Sequence, residues 1–107
     1  MTGTLVDVVL VSYDSADVLR DAVAPLCEDE RLHVIVADNN PGDGSADSVR
    51  DLPVTIVETG GNVGFGRGCN AAARAGWSPY LLFLNPDARL APEDLDVLVE
   101  RLRRDAG

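Results

Sequence analysis

A carboxylate directly follows an apolar run in the last third of the chain. The run Tyr80-Leu81-Leu82-Phe83-Leu84 is typical of a strand, and Asn85-Pro86-Asp87 comes next. Pro86 has no backbone N–H, so it ends strand pairing and fixes the approach of Asp87 to the sheet edge. A carboxylate in that position could hold a hard cation, and the cation could hold a diphosphate. The alternative is an ordinary turn, since Asn, Pro and Asp are also common turn residues.

Polar residues follow the other predicted strands as well. Ser12-Tyr13-Asp14 comes after the first strand, Asp38-Asn39-Asn40 after the second, and the segment from Asn62 to Asn70 after the third. The carboxyl ends of parallel strands lie at one edge of a sheet, so these distant segments are expected to meet there. Four polar strand ends favour a ligand site over four unrelated turns.

The elements that position these residues follow from hydrophobic periodicity. Strands are predicted over residues 6–12, 33–37, 54–58 and 80–84. Helices are predicted from Ser15 to an end or bend near Pro25, over 45–51, over 71–75 and from Pro92 onward. Strands that alternate with helices predict an α/β fold, a Rossmann-like parallel sheet of about four strands with flanking helices.

Composition narrows the class of protein. The 107 residues suit one domain, and a net charge of -9 argues against nucleic-acid binding, which needs a basic face. No apolar run has the roughly 20 residues of a membrane span, and the sequence does not start with the basic and apolar stretches that are typical of a signal peptide. Cys27 and Cys69 lack metal-ligand spacing and indicate a reduced, cytoplasmic setting, and a single histidine, His33, disfavours zinc. The absence of lysine excludes a Walker-type phosphate loop.

A glycine-rich segment over residues 60–68 invites comparison with dinucleotide-binding loops. Its glycines are spaced Gly64-x-Gly66-x-Gly68, which is not Gly-x-Gly-x-x-Gly, and the segment does not lie in the first strand-to-helix turn. Glycines here would instead let a loop pass close to a nucleotide. Arg67 could offset phosphate charge or lie against the base, and its alternative is a solvated loop arginine.

The polar motifs, in this order and spacing, resemble the inverting family 2 glycosyltransferases of the GT-A fold, and in particular their rhamnosyltransferase-like members. The resemblance covers nearly the whole chain. It is carried by Val11-Ser12-Tyr13, Val36-Ala37-Asp38-Asn39, Asp43-Gly44-Ser45, Asn62-Val63-Gly64-Phe65-Gly66, Asn70 and Leu84-Asn85-Pro86-Asp87.

The resemblance implies a role for each motif. Ser12, Tyr13 and Asp14 would lie along the nucleoside, and Asp38 would accept the ring N–H of uracil or thymine. The alternative for Asp38 is a turn residue. Asn85 would lie near the ribose, and Asp87 would bind the Mg²⁺ or Mn²⁺ that bridges the diphosphate. Asn85 replaces the first Asp of an Asp-x-Asp motif, so metal binding rests mainly on Asp87 and is expected to be weak without nucleotide. The other expected nucleotide-sugar contacts are Asn39, Asn62, Gly64, Arg67 and Asn70.

The predicted function is the transfer of a sugar, with inversion, from a UDP- or dTDP-sugar to an unknown acceptor. The resemblance further suggests polysaccharide biosynthesis, in the cytoplasm or at the inner face of the membrane. In the family the catalytic base lies downstream of this region, and nothing after Asp87 matches it. Residues 1–107 are therefore expected to form one domain, the donor-binding half of a truncated glycosyltransferase domain, with little activity alone and with a tendency to form homo-oligomers. The alternative is a non-catalytic nucleotide-binding or assembly module.

Overall fold

A computed structural model describes residues 4–40, 42–61, 64–89 and 92–106. Strands and helices alternate throughout this part of the chain. In chain order they are β1 (Val6–Ser12), α1 (Ala16–Cys27), β2 (Leu32–Asp38), a 3₁₀ helix (Ala46–Val49), β3 (Thr55–Glu58), α2 (Phe65–Ala73), β4 (Tyr80–Phe83) and α3 (Pro92–Ala106).

The four strands form one parallel sheet in the order β3-β2-β1-β4. The chain first moves outward from β1 to β3 and then crosses back, by way of α2, to place β4 on the other side of β1. The direction of winding therefore reverses between β1 and β4, and a reversal of this kind is where ligands bind in open α/β sheets. The predicted α/β fold with a parallel four-stranded sheet is confirmed.

The central strands are buried and the edge strands are not. All seven residues of β1 and all seven of β2 are buried, which explains their almost continuous apolar sequence. On β4 the side chains alternate, so that Leu81 and Phe83 are each 46% exposed while Tyr80 and Leu82 pack inward. An edge strand has one hydrogen-bonded neighbour and less cover, and β4 has only β1 beside it.

Helices cover both faces of the sheet. On one face Leu10 and Val36 pack beneath α1, and Leu95 and Val99 of α3 join the same cluster. On the other face Val9, Ile35 and their neighbours pack beneath Cys69 and Ala72 of α2. In the described ranges no helix has both the length and the apolar character needed to span a bilayer.

Several predicted helix boundaries need correction. Ser15 occupies the N-cap position of α1, but its hydroxyl bonds to the carbonyl of Tyr13 at 3.0 Å and makes no cap bond. Pro25 lies inside α1, and the helix ends two residues later at Cys27, so the predicted end near Pro25 is confirmed. The predicted 45–51 helix is a 3₁₀ helix of four residues, and α2 begins at Phe65, earlier than the alanine run suggested.

A polar cluster closes the amino-terminal end of the sheet beneath α2. His33 lies between Asp7 (Nδ1 to Oδ1, 3.1 Å) and Thr55 (Nε2 to Oγ1, 2.7 Å), and the ring of Trp77 stacks on it with centroids 3.7 Å apart. Asp7 also accepts the backbone N–H of Ser78 at 3.1 Å. Trp77 thus covers this end of the sheet, and every side-chain polar atom of this cluster that is buried has a partner.

Candidate functional site

The carboxyl ends of the strands form a continuous polar edge, which we call the rim (residues 12–15, 38–45, 58–61 and 84–88, with 41 outside the described residues). Ser12 of β1 lies level with Asp38 of β2, and Asp38 lies level with Glu58 of β3. The last pair between β1 and β4 joins Val9 and Phe83, whereas β1 continues to Ser12. Because β4 ends before β1 does, there is room at the rim for the segment from Leu84 to Asp87. The predicted convergence of these segments is therefore present in the fold.

Asp38 lies at the centre of the rim and is only 3% exposed. Its Oδ1 accepts the backbone N–H of Asn40 at 3.2 Å, and the described residues provide no hydrogen bond to Oδ2. Burial raises the pKa of this carboxyl, and the negative charges of Asp43 and Glu58 add to that effect against the opposing Asn40 N–H. A desolvated acceptor with one oxygen to spare is suited to a ligand N–H donor.

Ser12 and Asn39 lie just below the rim surface. Ser12 is fully buried and its hydroxyl is 3.4 Å from the carbonyl of Ala37. Asn39 is also buried, and its amide donates to the carbonyl of Gly64 at 3.3 Å while its oxygen accepts from Thr59 at 2.7 Å. In this conformation both residues support the site from below, and direct contact with a nucleotide stays a prediction.

The glycine-rich loop is tied to the end of β2 through these bonds. The Thr59 hydroxyl lies within hydrogen-bond distance of three acceptors, the Asn39 side-chain oxygen and the carbonyls of Asp38 and Gly61, and it can donate its single proton to one of them at a time. Gly64 has a φ of 90° at the start of α2, a backbone conformation that favours glycine. Gly68 permits close approach of α2 to β1, since a Cβ there would lie 3.1 Å from Val11. Asn62 lies outside the described residues.

Two side chains of α2 face solvent near the rim. Arg67 and Asn70 are both exposed, and the described residues provide no partner for the guanidinium of Arg67. Arg67 belongs to the first turn of α2, where backbone N–H groups already favour negative charge. The arrangement can accept an anion such as a phosphate.

The segment after β4 forms a tight turn. The backbone N–H of Ala88 bonds to the carbonyl of Asn85 at 2.9 Å, which places Pro86 and Asp87 at the two central positions. Both Asn85 and Asp87 are exposed, and no described residue pairs with the Asp87 carboxylate. Pro86 therefore fixes the turn as predicted and leaves Asp87 accessible.

A divalent metal fits this arrangement only together with a nucleotide. No group of three or more His, Cys, Asp or Glu side chains in the described ranges could hold a metal ion. Mg²⁺ is commonly held by one or two carboxylates together with phosphate oxygens and water, so Asp87 and a bound diphosphate supply a suitable donor set.

The tie between the first two rim loops was not predicted. Asp43 accepts the N–H of Asp14 at 2.7 Å and that of Ser45 at 2.8 Å, and Ser45 in turn accepts the N–H of Ser15 at 2.8 Å. These bonds hold the β1 loop, with Tyr13 50% exposed, against the β2 loop. The sequence signal was an aspartate between two glycines, Gly42 and Gly44, but that pattern alone does not show what the aspartate contacts.

The four-stranded parallel sheet with flanking helices is similar to the GT-A glycosyltransferase fold, and comparison with known families agrees. Residues 7–107 match the model of Glycosyl transferase family 2. The chain belongs to this family. No curated protein sequence matched the chain significantly.

Two solved glycosyltransferases illustrate the structural likeness. The mannosyltransferase PcManGT from Pyrobaculum calidifontis, solved in complex with GDP-Man and Mn²⁺, aligns with a TM-score of 0.73 and 25% identity over 83% of this chain. TarS residues 1–349 from S. aureus align with a TM-score of 0.80 and 18% identity over 94% of this chain. This chain spans only 29% and 33% of the lengths of those two proteins.

Proposed function

We propose that this chain binds the nucleotide-diphosphate sugar donor of an inverting glycosyl transfer, with UDP or dTDP as the nucleotide. The single observation that carries the donor assignment is the buried Asp38 carboxylate, which has one oxygen without a partner among the described residues and lies on the rim at the end of β2, next to β1. Uracil and thymine present a ring N–H to such an acceptor, whereas adenine and cytosine present a lone pair at the corresponding position.

A GDP-sugar is the second candidate donor. The mannosyltransferase to which this chain is similar was solved with GDP-Man. Guanine also presents a ring N–H, with an amino group beside it, so Asp38 could accept from either base. The two donors differ in base size, and direct titration distinguishes them.

The remaining site residues have complementary roles in the proposal. Tyr13 and Asp14 line the nucleoside, Asn85 lies near the ribose, and Arg67 with Asn70 and the glycine-rich loop faces the phosphates. Asp87 holds Mg²⁺ or Mn²⁺, which when bound would offset the charge of the departing diphosphate. Ser12 and Asn39 support these contacts from below.

The proposed reaction is a single displacement at the anomeric carbon. A base removes the proton of the acceptor hydroxyl, the new C–O bond forms, and the bond to the diphosphate breaks on the opposite face. The chain covers about a third of the lengths of its structural neighbours, so the base and the acceptor are assigned to no residue here. If no base is ever supplied, the same donor site defines a non-catalytic nucleotide-binding or assembly module.

We further propose the rhamnosyltransferase-like subtype, a place in polysaccharide biosynthesis and a cytoplasmic location, at the inner face of the membrane if the acceptor is lipid-linked. The two thiols support the location, since they form no disulfide: Cys27 is half-buried and Cys69 is buried.

Calorimetric titration tests the donor assignment. The chain is titrated with UDP, dTDP, GDP, ADP and CDP, each with Mn²⁺ and with excess chelator. We expect UDP and dTDP to bind and to depend on metal, with no binding of ADP or CDP. Preferential GDP binding would support the second candidate, and equal binding of all five would show that Asp38 does not read the base.

A further inference from the structure

We propose that Asp43 is a positioning residue that fixes Tyr13 and Asp14 in the shape that receives the nucleoside. The proposal rests on the proposed donor site and adds a residue to it. Asp43 need not touch the donor. It acts through the backbone of the loop that does.

Each oxygen of the Asp43 carboxylate has a separate task. Oδ2 accepts the N–H of Asp14 in the β1 loop at 2.7 Å, and Oδ1 accepts the N–H of Ser45 in its own loop at 2.8 Å. Only a carboxylate offers two equivalent acceptor oxygens, since an asparagine in the same place would present one oxygen and one amide donor. The charge also makes both bonds stronger than neutral ones.

The backbone on both sides of this contact is in an uncommon conformation. Asp14 has a φ of 53°, a left-handed conformation that a residue with a side chain keeps only when its surroundings hold it. Gly42 and Gly44 have φ values of 97° and 86°, and they let the loop turn sharply on either side of Asp43. The glycines make the approach possible, and the bond to Asp14 keeps the β1 loop in its strained form.

A second bond makes the tie specific to these two loops. The N–H of Ser15 donates to the Ser45 hydroxyl at 2.8 Å in a buried position. The β1 loop is thus held at two successive N–H groups by residues two apart in the β2 loop. Ser12 and Asp38 are paired neighbours at the strand ends, so the residue after Ser12 lies beside the proposed base acceptor.

The nucleoside side and the diphosphate side of the proposed donor site should therefore depend on different residues. Loss of the Asp43 charge should loosen the nucleoside side of the rim and leave the diphosphate side, around Asp87, unchanged. We therefore expect Asp43→Asn to weaken UDP binding by about tenfold, equivalent to about 1.4 kcal/mol. The ratio of the UDP affinities with and without Mn²⁺ should stay the same. A general loss of structure would reduce this ratio as well as the UDP affinity.

The bonds themselves can be tested without nucleotide. In an NMR pH titration of the unaltered chain, the amide protons of Asp14 and Ser45 should move together, with one midpoint below the usual range of an aspartate. The two N–H bonds lower the pKa of Asp43, whereas burial raises that of Asp38. The amide of Asn40, which bonds to Asp38, should therefore move at a higher pH and serves as an internal reference.

Asp47→Asn is the matched control for Asp43→Asn. It removes the same charge four residues away, from an exposed side chain whose partner is Arg50 at 3.0 Å. The control should leave UDP affinity and the Asp14 amide shift as in the unaltered chain. The wild-type titration needs no variant, so the test still applies if Asp43→Asn does not fold.

The outcomes separate the positioning role from the donor site. The positioning role would be overturned if the amides of Asp14 and Ser45 did not titrate together. It would also be overturned if the Asp43→Asn chain bound UDP with normal affinity. A wild-type chain that binds neither UDP nor GDP would overturn the proposed function. In that case the amide titration would still show whether Asp43 ties the two loops.

Discussion

At the scale of single residues, Asp38 shows how a binding site works against stability. Its carboxyl is almost fully buried and its pKa is raised, chiefly by that burial. A charged group in such a place destabilises the folded chain, because burial removes much of its contact with water. A ligand N–H would restore part of the lost interaction, as the proposed donor site requires.

Replacement of Asp38 by alanine should weaken donor binding. The ring N–H of a uracil base would lose its charged acceptor, at a cost of about 1.5–3 kcal/mol in a desolvated site. Calorimetry with UDP and Mn²⁺ measures the change, and thermal unfolding confirms that the variant is folded. Unchanged UDP affinity in a folded variant would assign Asp38 to the turn instead.

Replacement of Asp38 by asparagine should raise stability at neutral pH while it lowers UDP affinity. The folded pKa of Asp38 lies above its unfolded value, so its contribution to stability is present below the ordinary carboxyl pKa and is lost as pH rises through the raised value. Asparagine removes the charge and can still accept the Asn40 N–H. The stability gain, followed by thermal unfolding, should disappear at acidic pH. A gain of the same size at all pH values would contradict this account.

Replacement of Asp87 by alanine should remove the metal dependence of UDP binding. The exposed Asp87 carboxylate has no partner among the described residues, so its loss should not disturb the fold. Titrations with Mn²⁺ and with chelator should then give the same affinity. Asp94→Ala, an exposed acidic residue in the first turn of α3, is the control and should keep the dependence. If the wild-type chain bound UDP with equal affinity in Mn²⁺ and in chelator, the role proposed for Asp87 would be wrong.

At the scale of elements, the turn before β4 depends on a glycine. A Cβ on Gly76 would collide with the carboxylate of Asp7, which is bonded to His33 and to the N–H of Ser78. Gly76→Ala should therefore destabilise the chain by about 1–3 kcal/mol, the usual cost of overpacking.

Gly66→Ala provides the contrast for Gly76→Ala. Gly66 lies in α2, and a Cβ there would meet nothing within 4 Å. Alanine is favoured over glycine in a helix by about 0.5–1 kcal/mol, so this change should be neutral or stabilising. Urea unfolding of both variants measures the difference. Equal stability of the two would show that Asp7 can move aside at no cost.

The sequence located all four strands, but it gave the exact bounds of only one of them. The bounds of β1 were predicted to the residue because seven consecutive positions are buried on both faces, and such burial demands a continuous apolar run. The strand β2 is buried along its whole length as well, yet it extends one residue beyond the predicted range at each end. The short edge strands and the 3₁₀ helix also differ by one or more residues, because fewer buried positions define them. The rim residues were found as a group from the strand ends. The depth of Ser12 and Asn39 and the bonds of Asp43 were not found, since they depend on how closely loops and α2 approach in space.

At the scale of the whole molecule, the edge of the sheet formed by β4 exposes apolar side chains. Leu81 and Phe83 of β4 lie on the face covered by α2, yet each is 46% exposed, because α2 packs over β1 and β2 and not over β4. Among the described strands none pairs with the outer side of β4. An exposed apolar edge of this kind is prone to pair with another chain.

The isolated chain should therefore self-associate at micromolar concentration, most simply as a two-fold dimer. The net charge of -9 opposes association, but at physiological salt the Debye length is only about 8 Å. Light scattering across a concentration series measures the species present. Phe83→Lys should shift the distribution to monomer, whereas Val97→Lys, an exposed apolar position on α3, should not. A wild-type monomer at every concentration would show that four strands and their helices suffice as a unit.

Because Trp77 stacks on His33, its fluorescence can report on the folded state of the chain without an added label. Trp77 is the only tryptophan, and the ring it covers lies at the end of the sheet opposite the rim, about 16 Å from Asp38 along β2. Its fluorescence should therefore change when the sheet opens and the ring stack is lost. Occupation of the rim by a nucleotide should leave the emission unaltered, so one signal can follow folding during a ligand titration.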